Sequence, residues 1–288
     1  MDIHDNKKLI FIIGAPRSGT NMLRDFICLH PEITCFPCDE IPFLWRYGGQ
    51  FLETDIPEPN WHASKSAVKV KSILSRWISQ KMTKENSVFI EKTCANSLRV
   101  RELSRLFPDA KFIFILRSGF DVVASSNQKK LNRDISKNNI LSKLKFIPLS
   151  QICQVVVNIL VQKLVYGVLP WGPRILNNTK RLKTASDAEY VLLQWKQCVS
   201  YSLDESAELE RERCLFLGYE NFVRDPEGHA ERISSFINVD KTGFLDAVGF
   251  ISQASINKGT EFCNTILDEK SLAEIEIVNG WIAQRLGL

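Results

Sequence analysis

The sequence predicts an α/β fold with a central, mostly parallel sheet flanked by helices. Apolar runs typical of strands alternate along the chain with segments of helical periodicity, and these runs lie at residues 9–13, 87–90, 111–116 and 214–217. The third run is apolar almost throughout, as in strands that are covered on both faces of a parallel sheet. Polar residues cluster directly after these runs, where parallel sheets bind their ligands.

Each predicted strand leads into a predicted helix. The strand Leu9–Ile13 is followed by a turn over Gly14–Gly19 and by apolar residues at helical spacing as far as His30-Pro31. A proline disfavours helical backbone in the residue before it, so we expect the first helix to end there. The later strands lead likewise into helices, one that runs to Phe107 and one that begins near Phe120. This alternation is typical of a parallel sheet.

The composition bounds the classes of function. The chain has 288 residues, of which 44% are hydrophobic, and a formal net charge of +4. Disorder as the main state is excluded, and the charge is too small to identify a nucleic-acid binder. No segment reaches the roughly 18–20 consecutive apolar residues that a membrane helix needs. We expect one domain over residues 1–288, with a helical insertion at about 127–185.

The cysteines are too sparse to predict a disulfide framework. There are eight in the chain, and Cys35 with Cys38 forms one CxxC pair. A structural zinc site would need a second ligand pair at suitable spacing, and the sequence does not provide one. We therefore expect free thiols, no bound metal and a cytoplasmic location.

A glycine-rich loop between the first strand and the first helix predicts an anion site. Gly14 and Gly19 have the spacing of a Walker A loop, in which backbone N–H groups surround a phosphate at a helix N-terminus. A kinase or NTPase would continue with a lysine and a magnesium ligand, but this chain has Thr20 and Asn21. Arg17 supplies a positive charge inside the loop, so the predicted anion needs no metal.

A second cationic element follows the strand at 111–116. Arg117 ends that strand, and Ser125 lies about two turns into the next helix. A guanidinium fork and a hydroxyl both suit phosphate oxygens. The alternatives are a surface ion pair between Arg117 and Asp121 and a serine that only packs the helix. Together with the first loop, the residues favour a ligand with two anionic ends.

Together these residues resemble the sulfotransferase family that uses 3′-phosphoadenylyl sulfate (PAPS). The loop at 16–20, Pro-Arg-Ser-Gly-Thr, resembles that family's 5′-phosphosulfate loop, and residues 112–126 resemble its 3′-phosphate motif. The segment at 217–222 resembles its later Tyr-Glu motif, and the style is that of bacterial and glycan- or tyrosine-directed members. The resemblance implies a P-loop-NTPase-like three-layer fold and metal-free transfer of a sulfuryl group to a hydroxyl or amine, with 3′,5′-bisphosphoadenosine (PAP) as product.

The resemblance also implies which residues bind the cofactor. Those that would hold the 5′-phosphosulfate are Arg17, Ser18, Gly19, Thr20 and Asn21. Arg117 and Ser125 would hold the 3′-phosphate, and Tyr219 would lie near the nucleoside. Lys258 and Gly259 resemble the family's C-terminal Lys-Gly pair, which belongs to the 3′-phosphate loop.

Two cations are candidates for stabilising the charge that develops in the reaction. Arg17 lies in the first loop, and Lys92 follows a strand where the family has a catalytic lysine. The alternative for Lys92 is an ion pair with its neighbour Glu91. Cytosolic members have a histidine two residues after the lysine, but this chain has Cys94 there, so that general base is not carried over.

The general base is therefore sought in a glutamate after the first helix, as in tyrosine- and glycan-directed relatives. Glu40 is the favoured candidate, with Asp39 and His62 as alternatives. Trp171-Gly172-Pro173-Arg174 resembles a segment near the acceptor in some bacterial members. The acceptor itself is open, and a small natural product, a glycan or a lipid would fit. A kinase or NTPase and a non-catalytic anion-binding module remain the alternative functions.

The insertion carries two further open questions. Residues 146–169 predict a helix with a broad apolar face, which either packs in the domain or acts as a lid or acceptor-binding helix that contacts a membrane surface. Between residues 129 and 145 there are six basic side chains and one acidic side chain. They form either a solvated face or an attractive surface for an anionic ligand.

Overall fold

The fold is known from a computed structural model that describes residues 8–36, 38–49, 53–81, 88–131, 152, 172–251 and 259–288. Within these ranges the strands are β1 (Lys8–Ile13), β2 (Ile33–Cys35), β3 (Val88–Lys92), β4 (Lys111–Leu116) and β5 (Cys214–Gly218). They form one sheet in the order β2-β3-β1-β4-β5, and every recorded pairing is parallel. The predicted α/β class is confirmed, and β2 is the strand that the sequence did not predict.

Twelve α-helices lie in the described ranges. They are α1 (Thr20–Cys28), α2 (Pro42–Trp45), α3 (Lys65–Lys81), α4 (Val100–Leu106), α5 (Gly119–Leu131), α6 (Asn178–Thr184), α7 (Asp187–Ser206), α8 (Tyr219–Arg224), α9 (Pro226–Ile237), α10 (Leu245–Ile251), α11 (Thr260–Ile266) and α12 (Glu269–Leu286). The segment after β3 differs from the prediction, because a 3₁₀ turn over Cys94–Leu98 precedes α4. None of the described helices is long and apolar enough to cross a membrane.

Two apolar layers cover the two faces of the sheet. Successive side chains of a strand point to opposite faces, so Phe11 and Phe89 pack on one side with α2, α3 and α4. Ile12 and Ile90 pack on the other side with α1, α9 and α10. These side chains are fully or almost fully buried, and each contributes roughly 1.5–3 kcal/mol of transfer free energy.

The strand register brings three chain segments to one edge of the sheet. Ile12 of β1 is paired with Lys92 of β3, and Ile13 is paired with Phe114 of β4. The residues that follow these three strands therefore begin side by side. They include the first loop, the Lys92 segment and Arg117, as predicted from the polar clusters.

The expectation of free thiols is wrong for two cysteines. Cys28 ends α1 and Cys35 ends β2, and the two form a disulfide with a Cα–Cα distance of 6.0 Å. The turn between helix and edge strand brings them within the range that a disulfide requires. Cys38 of the CxxC pair forms no disulfide, and neither do the other described cysteines outside this bond, which are Cys94, Cys198, Cys214 and Cys263.

Only part of the predicted insertion falls in the described ranges. Apart from Ile152, which is exposed, the apolar stretch 146–169 lies outside them, and so does the basic stretch beyond residue 131. The described part from residue 172 leads into α6 and then α7. The predicted single domain with a helical insertion stays a prediction.

Candidate functional site

The first loop has a backbone that few side chains tolerate. Arg17 has a φ of 69° and Gly19 a φ of 87°, both in the left-handed region. A Cβ atom on Gly19 would lie 2.4 Å from the ring of Tyr219. The loop ends in the N-terminus of α1, where the first N–H groups have no partner within the helix. Such a terminus attracts anions.

Neighbouring strand ends hold this loop in place. The N–H of Gly14 donates a buried hydrogen bond of 3.1 Å to Oγ of Ser97, in the 3₁₀ turn after β3. On the other side, a Cβ on Gly14 would lie 2.8 Å from the carbonyl oxygen of Ile115 in β4. The loop is therefore fixed between the ends of β3 and β4, and Gly14 is required there because the space is full.

Arg17 and Arg117 lie in direct contact. Nη1 of Arg117 donates to the backbone carbonyl of Arg17 at 3.0 Å, while Nε and Nη2 of Arg17 donate to Oγ of Ser125 at 3.2 and 2.9 Å. Burial, followed by the charge of Arg117, lowers the pKa of Arg17. Within the described part of the chain, no carboxylate forms an ion pair with either arginine. The buried side chain of Arg117 and the half-buried Arg17 therefore lie close together.

Tyr219, the residue after β5, borders the Arg17–Arg117 contact. The guanidinium carbon of Arg117 lies 4.0 Å from the centre of the Tyr219 ring, in cation–π contact. The same ring packs against Gly19, so one aromatic side chain touches both loops. Nε of Arg117 is buried and has no hydrogen-bond partner among the residues that the structure describes.

The C-terminal segment reaches the same area through Gly259. Its N–H donates to Oδ1 of Asp121 at 2.7 Å, and a Cβ on it would lie 2.2 Å from the carbonyl oxygen of Phe120. Asp121 therefore holds this backbone, and the alternative of an ion pair with Arg117 is not what the structure has. Lys258 lies outside the described residues.

Lys92 and Glu40 form an ion pair at the end of β3. Nζ of Lys92 donates to Oε1 of Glu40 at 2.9 Å, and the lysine side chain is almost fully buried. The alternative of a pair with Glu91 is wrong, since neighbouring residues of a strand face opposite sides. Burial is the largest single effect and opposes both charges, but the attraction within the pair and the contacts with Cys94 together outweigh it, so the pKa of Glu40 is lowered and that of Lys92 is raised.

Cys94 links this pair to the first loop. Its N–H donates to Oε1 of Glu40 at 3.4 Å, and its Sγ lies 3.5 Å from Oγ1 of Thr20 at the start of α1. Burial, reinforced by the charge of Glu40, raises the pKa of Cys94 to about 12. The thiol is therefore neutral near pH 7 and does not replace the family's histidine as a base.

The other candidates for the base lie in different surroundings. Asp39 is half-buried beside Glu40 and acts on the pKa of Glu40 through its charge. His62 lies in a 3₁₀ turn, and its Nδ1 is 2.7 Å from Oε2 of Glu102 on α4. The structure thus gives the favoured candidate, Glu40, a contact with Lys92.

The predicted acceptor segment touches the first loop. A Cβ on Gly172 would lie 3.3 Å from Cγ of Pro16. The N–H of Arg174 donates to Asp55 at 2.7 Å, and the N–H of Asp55 donates back to the carbonyl oxygen of Arg174 at the same distance. Trp171 lies outside the described residues. In the described part, no group of three metal-ligating side chains comes together.

Three features of the site were not predicted from the sequence. They are the anchor that Ser97 gives to Gly14, the bond between Asp121 and Gly259, and the hydrogen bonds around the buried Glu91. The separate environment of Glu91 could have been predicted, because side chains alternate along β3 and Glu91 therefore lies on the face opposite Lys92. The first two join residues 83 and 138 positions apart, and no local pattern signals them.

Comparison with known proteins confirms the resemblance stated above. Residues 10–147 match the model of the Sulfotransferase family. This stretch contains the first loop, Lys92 and Arg117. Protein-tyrosine sulfotransferase A of Caenorhabditis elegans is 21% identical over 238 residues, which cover 80% of this chain and 50% of that protein. Protein-tyrosine sulfotransferase 1 of Homo sapiens is 26% identical over 139 residues, 44% of this chain and 36% of that protein. The chain spans half or less of their length.

Two solved structures have a similar fold. The sulfotransferase domain from the curacin biosynthetic pathway superposes with a TM-score of 0.54 at 18% identity and covers 98% of both chains. The sulfotransferase domain from the Synechococcus PCC 7002 olefin synthase gives 0.51 at 17% identity and covers 95% of both. The predicted P-loop-like α/β fold of sulfotransferases is therefore confirmed.

Proposed function

We propose that this chain is a PAPS-dependent sulfotransferase, which moves a sulfuryl group to a hydroxyl or amine of an acceptor. The observation that carries the proposal is the contact of Arg17 with Arg117, a half-buried and a buried cation from different strand ends. Two such charges need an anion to compensate them. A nucleotide with phosphate groups at both ends of its ribose matches this need.

The residues around the Arg17–Arg117 contact fit the donor. Backbone N–H groups at the start of α1 and the side chain of Arg17 would hold its 5′-phosphosulfate. The residues in this role are Arg17, Ser18, Gly19, Thr20 and Asn21. Arg117 and Ser125 would hold the 3′-phosphate, with Lys258 and Gly259 completing that loop, and Tyr219 would lie near the nucleoside. The buried Nε–H of Arg117 is available to donate a hydrogen bond to a phosphate oxygen.

The chemistry asks two things of the chain's own side chains. PAPS supplies an activated sulfuryl group, and its transfer builds negative charge on the leaving phosphate. Lys92 and Arg17 would stabilise that charge, because a cation in a buried site acts more strongly than one in water. Glu40, kept ionised by Lys92, would accept the proton of the acceptor.

The acceptor remains a proposal at the level of a class. A small natural product, a glycan or a lipid would fit, and the names of the curated relatives add peptide tyrosine. The cytoplasmic location also remains a prediction, and the Cys28–Cys35 bond argues against it because disulfides persist in oxidising compartments. Contact of the segment 146–169 with a membrane surface also stays a prediction.

Two measurements test the donor and the reaction separately. Thermal unfolding with PAP, compared with ATP plus Mg²⁺, reports which nucleotide binds the folded chain. Sulfur-labelled PAPS with a panel of alcohols, phenols, glycans, lipids and tyrosine peptides then reports transfer. Stabilisation by PAP with labelled product supports the proposal. Stabilisation by ATP–Mg²⁺ alone favours a kinase, and PAP binding without transfer to any acceptor favours a binding module.

A further inference from the structure

Glu91 is a fully buried carboxylate that the proposed chemistry does not use. It precedes Lys92 in β3 and points to the opposite face of the sheet, toward α2. A buried carboxylate costs free energy unless hydrogen bonds compensate it. The three groups that donate hydrogen bonds to Glu91 therefore indicate which parts of the chain it connects.

The carboxylate of Glu91 accepts three hydrogen bonds from two segments of the chain. Oε1 accepts from the indole Nε1 of Trp45 at 3.1 Å and from the hydroxyl of Thr93 at 2.6 Å. Oε2 accepts from Nδ2 of Asn96 at 2.7 Å. Trp45 ends α2, while Thr93 and Asn96 follow β3, so one carboxylate joins two chain segments that are far apart in sequence.

The hydroxyl of Thr93 connects Glu91 to the segment that contains Glu40. Because Oγ1 of Thr93 donates its proton to Glu91, it can accept from the N–H of Ile41, which lies 3.2 Å away. Ile41 is the residue after Glu40 and precedes α2, whose last residue is Trp45. Glu91 thus holds the segment 40–45 at both ends, once through Thr93 and once through the indole.

We propose that Glu91 is a positioning residue, which fixes the segment 40–45 so that the carboxylate of Glu40 lies against Lys92. The inference rests on the proposed function for its kinetic readout, but its structural part does not. Without Glu91, Thr93 would lose the acceptor that orients its hydroxyl, and the N–H of Ile41 would lose a fixed partner. The Glu40–Lys92 distance of 2.9 Å would then no longer be held.

The ionisation of Glu91 supports this role. Burial raises its pKa to about 7, against the hydrogen bonds from Thr93 and Trp45 and the charge of Lys92, while Glu40 adds to the rise. The buried Arg99 also interacts electrostatically with Glu91. With Asn96 oriented as it is, all three hydrogen bonds are accepted by the ionised carboxylate, and a protonated carboxyl group would present a donor to one of these donors.

A glutamine at this position offers a conservative test. Its Oε1 could accept from Trp45 and Thr93, and its Nε2 would face Asn96. Oδ1 of Asn96 is buried and has no hydrogen-bond partner within the described ranges, so a turn of that amide would give Nε2 an acceptor. Glu91→Gln therefore keeps the three contacts, whereas Glu91→Ala removes them.

The structural readout is amide hydrogen exchange at Ile41. We expect Glu91→Ala to raise its exchange by at least about tenfold, the factor for one hydrogen bond to a charged group, and Glu91→Gln to stay near wild type. Thr93→Val, which keeps the shape and removes the hydroxyl, should raise it similarly. Glu205→Ala is the matched control, because Glu205 is a buried carboxylate that holds the N–H of Arg101 instead. Unchanged exchange in both Glu91→Ala and Thr93→Val would overturn the proposal.

The kinetic readout separates positioning from folding. In Glu91→Ala and Thr93→Val we expect kcat to fall by roughly tenfold or more, with the Kd for PAP within about twofold of wild type. Glu91→Gln should keep kcat near that of wild type. Equal loss of kcat and of PAP affinity in Thr93→Val would overturn the role. If wild type transfers no sulfuryl group while exchange at Ile41 changes as expected, the proposed function fails and the positioning of Glu40 stands.

Discussion

Nη1 of Arg117 donates a hydrogen bond of 3.0 Å to the carbonyl oxygen of Arg17, which lies 100 residues earlier in the chain. Arg17 has left-handed backbone, which an arginine seldom adopts without support. The second arginine therefore stabilises the conformation of the loop that carries the first one. The two proposed phosphate sites are therefore connected by this hydrogen bond, and a substitution in one is expected to alter the conformation of the other.

Replacing Arg117 tests the donor site. We expect Arg117→Ala to weaken PAP binding by roughly 10- to 100-fold, since it removes a charged donor and the support of Arg17. Titration calorimetry with PAP measures the change. Arg101→Ala is the control, because Arg101 pairs with Glu208 at the surface, and it should leave PAP affinity as it is. An affinity of Arg117→Ala equal to that of the control would contradict the assignment.

Replacing Lys92 tests the chemical step. We expect Lys92→Ala to lower kcat by about 100- to 1000-fold, the loss typical of one charge-stabilising donor, with a smaller effect on PAP affinity. Transfer from labelled PAPS under single-turnover conditions measures it. Lys69→Ala, an exposed lysine of α3, should keep full activity. If turnover of Lys92→Ala matched that of Lys69→Ala, Lys92 would have no part in the reaction.

Three substitutions compare the candidates for the general base. We expect Glu40→Gln to lower kcat by about 100-fold or more, and Asp39→Asn and His62→Gln to cost less than tenfold. The reason is the contact of Glu40 with Lys92, while His62 is held by Glu102. Parallel rate measurements at saturating PAPS decide between them. A larger loss in Asp39→Asn or His62→Gln would move the role to that residue.

The buried Asp55 governs acid stability. It accepts from Nε and Nη2 of Arg46 at 2.9 and 2.6 Å and lies 3.3 Å from Nη2 of Arg99. Burial alone would raise its pKa, but Arg46 and the other donors lower it to about 2. We expect Asp55→Ala to reduce the free energy of unfolding by about 3–5 kcal/mol, because it leaves the buried Arg99 and the half-buried Arg46 without their carboxylate. Denaturant unfolding at pH 7 measures this loss.

The same pKa sets the direction of the pH dependence. The folded pKa of about 2 lies below the reference value of 3.8, so the stabilisation by Asp55 is present above pH 3.8 and is lost as pH falls toward 2. Unfolding curves of wild type between these pH values should show the loss, and Asp55→Ala should lack it. Asp109→Ala, at an exposed position, should follow wild type within about 0.5 kcal/mol.

Local patterns in the sequence were enough for most of the fold. Four of the five strands were predicted from apolar runs, because fully covered strands leave an unbroken apolar signal. The strand Ile33–Cys35 was missed, since three residues carry no period. The helix after β3 was predicted as one element, but Cys94–Leu98 is a 3₁₀ turn whose Ser97 holds the first loop.

The site was predictable where a loop follows a strand and less so where distant segments meet. Arg17 and Arg117 were expected at one edge of the sheet because both follow parallel strands, and they do lie together. Lys92 was expected either to stabilise charge in the reaction or to pair with its neighbour Glu91, but it pairs with Glu40, which is 52 residues away. Contacts of this kind depend on packing, which one sequence does not reveal.

The disulfide at the far end of α1 has a practical consequence for every assay of this protein. Cys28 and Cys35 close a short covalent ring behind the helix whose other end is the first loop. Dithiothreitol in a purification buffer would open this ring and give the chain about 2–3 kcal/mol of added freedom in its unfolded state. Two preparations that differ only in reductant would then melt at different temperatures, so oxidation state has to be matched before any nucleotide titration is compared.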